Sequence, residues 1–275
     1  MLIYIPEGYC KKYCINSQVK MSGKIFSLIL LLGAVVAFAG CTEREPDSAV
    51  LLNRAVENGR VGKWQECEKN SLAVLKRDPG NIDALMLRSL ASEHLGKMDV
   101  ALAAARQAAE NAPENFAAQY IYGRLLALKN ESAKSAIQIL ERANKLRPGN
   151  RNTLILLGQC SSNINADNAI EYYLALPEKV RKLPEIQTRM AIYYLDRRDR
   201  SPRNLSLAFQ ALRNAYMTSP DNPVIVLNMA KFLDHYIKNK LKAVGFYRRY
   251  LRLTEHNPEL NPTRAQVQAR MSELR

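Results

Sequence analysis

The chain has 275 residues, 47% of them hydrophobic, and carries 40 Lys and Arg against 26 Asp and Glu for a formal net charge of +14. Apolar periodic segments follow one another without low-complexity sequence or a long linker, which excludes a largely disordered chain. The three histidines stand far apart, and there is no His-x-x-x-His, Cys-x-x-Cys, phosphate loop, Gly-x-Ser-x-Gly elbow or dinucleotide glycine pattern, so no motif points to metal, nucleotide or covalent catalysis.

Residues 1–20 contain Lys11, Lys12, Lys20, Cys10 and Cys14 and extend no recognisable element, so Met21 is the expected initiator and the preceding segment an over-extended gene start. Residues 21–40 have the anatomy of an export signal. Lys24 precedes the apolar run from Ile25 to Gly40, which ends in small residues. That run is about 15 residues, short of the roughly 20 that span a bilayer comfortably. Ala39-Gly40-Cys41 resembles the lipobox of bacterial lipoproteins, with Phe38 where an aliphatic residue is usual. The resemblance implies an acylated Cys41 as the first mature residue, followed by a short linker over 41–47.

From Ser48 a period emerges. Pro79-Gly80-Asn81, Pro113-Glu114-Asn115, Pro148-Gly149-Asn150 and Pro220-Asp221-Asn222 share one pattern, the first three spaced 34 and 35 residues apart. This is the length of a two-helix unit that buries its apolar face only against its neighbours. Within the units, small residues recur at matching positions, Ala55 and Cys67 in the first, Ser89, Ala101 and Ala108 in the second, Gly123, Ala136 and Ala143 in the third, with Gly62 and Gly96 at the turns of the first two; small side chains let two antiparallel helices approach closely. One extra residue at Asn130-Glu131-Ser132 lengthens the third unit. Pro177 stops the fourth early, so its second helix ends at or before Leu176. A fifth unit runs from Pro184 with a long Arg-rich turn over 196–203, and a sixth from Pro223 closes at Pro258 and Pro262. Thr263–Arg275 reads as a final helix with Val267 and Met271 on one face. Cys67 and Cys160 fall at interior positions nearly three units apart, too far for a disulfide.

These Pro-x-Asn boundaries, small-residue positions, and the turn residues Gly62-Lys63-Trp64 and Gly96 resemble the tetratricopeptide repeat family from Ser48 to about Pro258. The resemblance implies an all-α, right-handed α-solenoid of about six helix-turn-helix repeats over 48–261 with a capping helix over 262–275. It also implies a concave groove lined by the first helix of each repeat at positions two, five, nine, twelve and thirteen. These fall on Asp83, Met86, Leu90, Glu93 and His94 in the second repeat, and on Ala117, Tyr120, Arg124, Ala127 and Leu128 in the third. In the fourth they are Asn152, Ile155, Gln159, Ser162 and Asn163; in the sixth, Val224, Leu227, Lys231, Asp234 and His235. Tyr120, Arg124, Asn152 and Gln159 are the expected partner-binding residues, an aromatic, a charge and two amides on neighbouring helices.

Charge is uneven: residues 182–275 hold 17 basic against 8 acidic side chains, whereas 41–181 hold 19 against 17. Arg197, Arg198, Arg200 and Arg203 form a candidate anion-binding turn. The reading is a non-catalytic protein–protein interaction scaffold or assembly factor, binding a protein or peptide and needing no metal or cofactor. It is lipid-anchored in a bacterial cell envelope, at the outer membrane facing the periplasm, and resembles lipoproteins that assist assembly of outer-membrane proteins or type IV pili. An exported chain would not meet nucleic acid. The alternatives are a binder of anionic envelope polymer or lipid through the basic C-terminal surface, and an accessory subunit of an envelope enzyme.

Overall fold

The computed structural model describes residues 46–129, 132–196 and 201–274. The expected signal segment, Cys41, Asn130-Glu131 and Arg197, Arg198 and Arg200 lie outside the described residues. Among those described there are fourteen α-helices, one 3-10 turn and no strand, and none of the helices is long and apolar enough to cross a membrane.

The described residues form two bodies, divided after Asn111. The first contains α1 (Ser48–Arg60), α2 (Trp64–Arg77), α3 (Ile82–His94) and α4 (Met98–Asn111), packed as two hairpins with α2 against α3. The second contains α5 (Phe116–Lys129), α6 (Ala133–Leu146), α7 (Arg151–Asn163), α8 (Ala169–Leu174), α9 (Glu178–Arg181), α10 (Pro184–Asp196), α11 (Pro202–Thr218), α12 (Pro223–His235), α13 (Lys240–Leu253), the 3-10 turn Pro258–Leu260, and α14 (Asn261–Glu273). Each is an α-solenoid in which helices pack against their neighbours in sequence, so the core is a series of local clusters.

The boundary motif has a direct physical role. Asn81, Asn115, Asn150 and Asn222 each accept a hydrogen bond from a backbone N–H in the first turn of the next helix, from Ala84, Ala118, Thr153 and Val224 at 3.0–3.1 Å. The hairpin turns need a left-handed residue, supplied by Gly62 and Gly96 at φ 76° and 74°. Asn165 and Lys238 take the same region at φ 54° and 61°, and a lysine there carries strain.

Close approach within the hairpins rests on the small residues. Ala55, Ser89, Ala191 and Ala230 on first helices and Cys67, Ala101, Ala136, Ala169, Ala208 and Ala243 on second helices are all fully buried. Where they meet in the second repeat, Ser89 Oγ donates to the Ala101 carbonyl at 2.9 Å. Glycine takes the same place at 123 and 158, and a Cβ there would lie 2.8 Å from Leu140 Cγ and 2.7 Å from the Tyr173 ring.

The fourth repeat departs from the pattern. Its second helix ends at Leu174, ahead of Pro177, as the proline requires. One turn, α9, then leads into α10, which packs against α7, α8, α9 and α11. That helix is buried nearly all round: Ile186, Thr188, Met190, Ile192 and Leu195 are all at 9% exposure or less, and Tyr193 donates its hydroxyl to the Asp167 carbonyl at 2.8 Å.

Overpacking a close helix contact costs about 1–3 kcal/mol. Ala108→Leu and Gly158→Ala should therefore each lower the thermal unfolding midpoint, Gly158→Ala by displacing the fully buried Tyr173 ring. An unchanged midpoint in both variants would show that these positions do not set the helix separation.

Candidate functional site

In the second body the first helices α5 and α7 carry the expected partner-binding residues. Tyr120 and Arg124 are buried, 8% and 6% exposed, while Asn152 and Gln159 are half-buried. Tyr120 belongs to a cluster with Leu140, Leu156, Leu157 and Cys160, and its ring stacks on Phe116 with centroids 5.8 Å apart. Stacking of α5 against the next hairpin draws Tyr120 inward, so it serves as packing and leaves little ring to a partner. The face that remains accessible is mixed: Ala117, Ala127 and Leu128 on α5 with Asn152, Ile155, Gln159 and Ser162 on α7, all half-buried. In the fifth repeat the equivalent positions, Thr188 and Ile192, are closed by the packing around α10.

In the first body Asp83 and His94 are exposed, and Met86, Leu90 and Glu93 half-buried. His94 lies flat on the Trp64 indole, with centroids 3.8 Å apart and planes within 2°. Trp64 thereby packs at the turn, and the stack removes one imidazole face from use. Close by, Glu68 accepts from Lys97 Nζ at 2.7 Å and Ser92 Oγ at 3.1 Å; the Lys97 hydrogen bond is the main reason its carboxyl sits below the usual range. Burial pushes the Cys67 thiol up to about 11, aided by the Glu68 charge, so it is a packing residue and no nucleophile. Cys67 and Cys160 are buried and unbridged.

The sixth repeat differs most from the expected groove. Leu227 is fully buried and Asp234 is 3% exposed, because α14 covers them. Arg270 of α14 grips Asp234 with two hydrogen bonds, Nε to Oδ2 at 2.8 Å and Nη2 to Oδ1 at 2.9 Å, and Tyr247 adds its hydroxyl at 3.1 Å. His235 Nε2 is 3.8 Å from Asp234 Oδ2. Burial alone would raise the Asp234 carboxyl; the Arg270 hydrogen bonds, the His235 charge and the Tyr247 hydroxyl together outweigh it and hold it below its ordinary value. Burial is also the main cause that lowers His235, against the pull of Asp234. Asp234 is thus a clasp residue for the C-terminal helix, not part of an open lining, and the sequence carried no local sign of a partner 36 residues away.

Of the Arg-rich turn, only Arg203 is described; it is exposed in the first turn of α11, a helix capped by Ser201 Oγ accepting from the Asn204 N–H at 3.2 Å. Among the described residues, no group of three or more His, Cys, Asp or Glu could hold a metal ion.

Helical hairpins stacked in sequence, with mixed half-buried faces on their first helices, define a helical-repeat scaffold. Residues 52–115 and 95–151 match the tetratricopeptide repeat model, so this part of the chain is made of tetratricopeptide repeats, a family whose members are protein–protein interaction scaffolds. No curated protein matches the sequence. Among solved structures, PilW, a widely conserved type IV pilus biogenesis factor, is similar at TM-score 0.62 and 17% identity, over 78% of this chain and 97% of that one. The Pseudomonas aeruginosa pilF structure gives 0.58 and 18%, over 80% and 97%. YrrB, a tetratricopeptide repeat protein with an unusual peptide-binding site, gives 0.59 and 20%, over 67% and 92%. At these identities the likeness is one of fold.

Breaking a buried ion pair by removing one partner costs about 3–5 kcal/mol; Arg270 is one-third exposed, so about 2 kcal/mol is expected for Asp234→Ala after screening. The folded carboxyl lies below its unfolded value near 3.9, so its stabilisation is full above about pH 4 and is lost as pH falls through the folded value. His235, also lowered, acts in the same direction, because stability falls as pH drops below its unfolded value near 6.5. Denaturant unfolding between pH 3 and pH 7 should show a flatter acid limb in Asp234→Ala than in the parent. Parallel limbs would mean that the clasp does not carry the acid sensitivity.

Proposed function

We propose that the chain is a lipid-anchored scaffold or assembly factor of a bacterial cell envelope, tethered through acylated Cys41 and facing the periplasm, that binds a protein or peptide on the first-helix face of its repeats. The observation that carries the recognition half is the α5–α7 face, where two amides stand among small apolar side chains with their backbones fixed by Asn115 and Asn150 caps. An extended peptide offers its own N–H and C=O groups, which Asn152 and Gln159 can both accept from and donate to, while Leu128 and Ile155 can receive an apolar side chain. No step of catalysis enters this reading: the chain presents surfaces and partners are brought together on them. PilW and YrrB have the same kind of fold, one in pilus biogenesis and one with a peptide-binding site, and an assembly role suits an envelope protein of this architecture. The order of charge, apolar run, small residues and cysteine in residues 21–41 supports the anchor.

Mass spectrometry of the native N-terminus should give a mature chain that begins at an acylated Cys41. An unmodified Cys41, or retention of residues 25–40, overturns the anchor.

Recognition is tested on the principal partner that copurifies with the lipidated protein from its own membranes. Asn152→Ala combined with Gln159→Ala should weaken its affinity about tenfold or more, the loss of a few desolvated hydrogen bonds, without a change in helicity or thermal midpoint. Undiminished affinity places the binding face elsewhere.

A further inference from the structure

Helix α13 differs in charge from the second helices of the first three repeats. Its buried stripe is Ala243, Tyr247 and Tyr250. Directly opposite, at spacings of four, three and four residues, stand Leu241, Gly245, Arg248 and Arg252, all exposed. The helix holds five Lys and Arg and no acidic residue, whereas α2, α4 and α6 each mix both signs. Arg249 alone is engaged, pairing with Asp221 at 2.7 Å and lying over the Tyr216 ring; Lys240, Lys242, Arg248 and Arg252 have no ion pair among the described residues. A helix face that needs only solvation interleaves charges of both signs, because unpaired like charges repel.

Apolar exposure coincides with this charge. Leu241 is 86% exposed and Met217, near the end of α11, 72%, the two highest values among the large hydrophobic side chains of the described residues, and Ile237 just before α13 is 48% exposed. Tyr216 and Phe246 meet edge to face with centroids 5.3 Å apart, which keeps the end of α11 beside α13.

We infer that the outer face of α13, with Met217 beside it, is a docking surface for the anionic headgroups of a lipid bilayer. The two halves of the chemistry divide the work. Arg248, Arg252, Lys240 and Lys242 meet lipid phosphates, and Leu241 and Met217 enter the headgroup–acyl boundary, where leaving water is favourable. A soluble anionic polymer would engage the same cations but leave both apolar side chains in water, so the interleaving favours a bilayer. The inference does not depend on acylation of Cys41. If the anchor is present, the face determines which side of the second body lies against the membrane.

The test places a tryptophan at the centre of the contact, Leu241→Trp, in the full chain. Its emission, after subtraction of the Trp64 signal from the parent, is followed on vesicles with brominated acyl chains, made either of phosphatidylglycerol with phosphatidylcholine or of phosphatidylcholine alone. Quenching is expected on the anionic vesicles and not on the neutral ones, whether or not an N-terminal segment also holds the chain there. Arg248→Gln with Arg252→Gln should reduce the affinity behind the quenching more than tenfold, at about fivefold per cation, and salt near 1 M should do likewise as the screening length falls to about 3 Å. Both positions are exposed, so circular dichroism should be unchanged. Equal quenching on both vesicle types, or none on either, overturns the inference. Retention on polyphosphate that depends on Arg248 and Arg252, without quenching on vesicles, also overturns it and assigns the face to an anionic polymer.

Discussion

The structure depends on how closely two antiparallel helices can cross. In each hairpin a small residue of the first helix is matched in sequence position by one of the second: Ala55 and Cys67, Ser89 and Ala101, Gly123 and Ala136, Gly158 and Ala169, Ala191 and Ala208, Ala230 and Ala243. All are buried, and beside the two glycines there is no room for a further carbon against Leu140 and Tyr173. With that separation fixed, the large side chains reach past the crossing to the next hairpin, as Tyr120 does toward Leu156 and Cys160. A stack whose core is made of such contacts gains stability chiefly from neighbours, so its ends need separate treatment.

The C-terminal end is treated electrostatically as well as by burial. Only Val267 and Met271 of α14 enter the core, a small apolar contribution for thirteen residues. Arg270 adds a two-point grip on Asp234, and Arg264 donates to the Leu251 carbonyl and the Thr254 hydroxyl at the end of α13. Directional bonds of this kind fix the register of a short helix that apolar contact alone would hold loosely. They also consume a groove position. The first-helix face of the sixth repeat is therefore a seat for α14, and open first-helix faces remain in earlier repeats.

What the sequence made legible follows from what is local. The Pro-x-Asn boundaries are helix stops followed by caps, and each asparagine caps within three residues of itself. Small residues at fixed spacing likewise announce a close crossing before any partner is known, and Pro177 announces a truncated helix. The site was less legible because exposure is set by the neighbour. Whether Tyr120 presents a ring or hides it depends on α7, and whether Asp234 lines a groove depends on α14. Helix α10 shows the same in reverse: its sequence, Pro-Glu-Ile-Gln-Thr-Arg-Met-Ala-Ile-Tyr-Tyr-Leu-Asp, has polar residues enough for an exposed face, yet a shortened α8 and the turn of α9 let neighbours close around it.

The distribution of charge follows a logic of its own, separate from the fold. Substituting acidic residues on the outer stripe of α13 would cost the hairpin nothing in packing, since Gly245 has open space beside it and Leu241, Arg248 and Arg252 point away from the buried stripe. Packing therefore does not explain why the acids present in α2, α4 and α6 are missing from α11 and α13. Arg249 makes the contrast within one helix: it is half-buried, paired with Asp221 and laid over Tyr216, so its role is structural, while Arg248 beside it is exposed and unpaired. A net cationic, acid-free face repels itself by a small amount at every pair, and such a cost persists where an external anion offsets it. The first helices of the third and fourth repeats carry amides suited to a peptide, whereas the second helices of the fifth and sixth carry charge and exposed apolar side chains suited to a surface, so the two proposed kinds of recognition fall on different repeats.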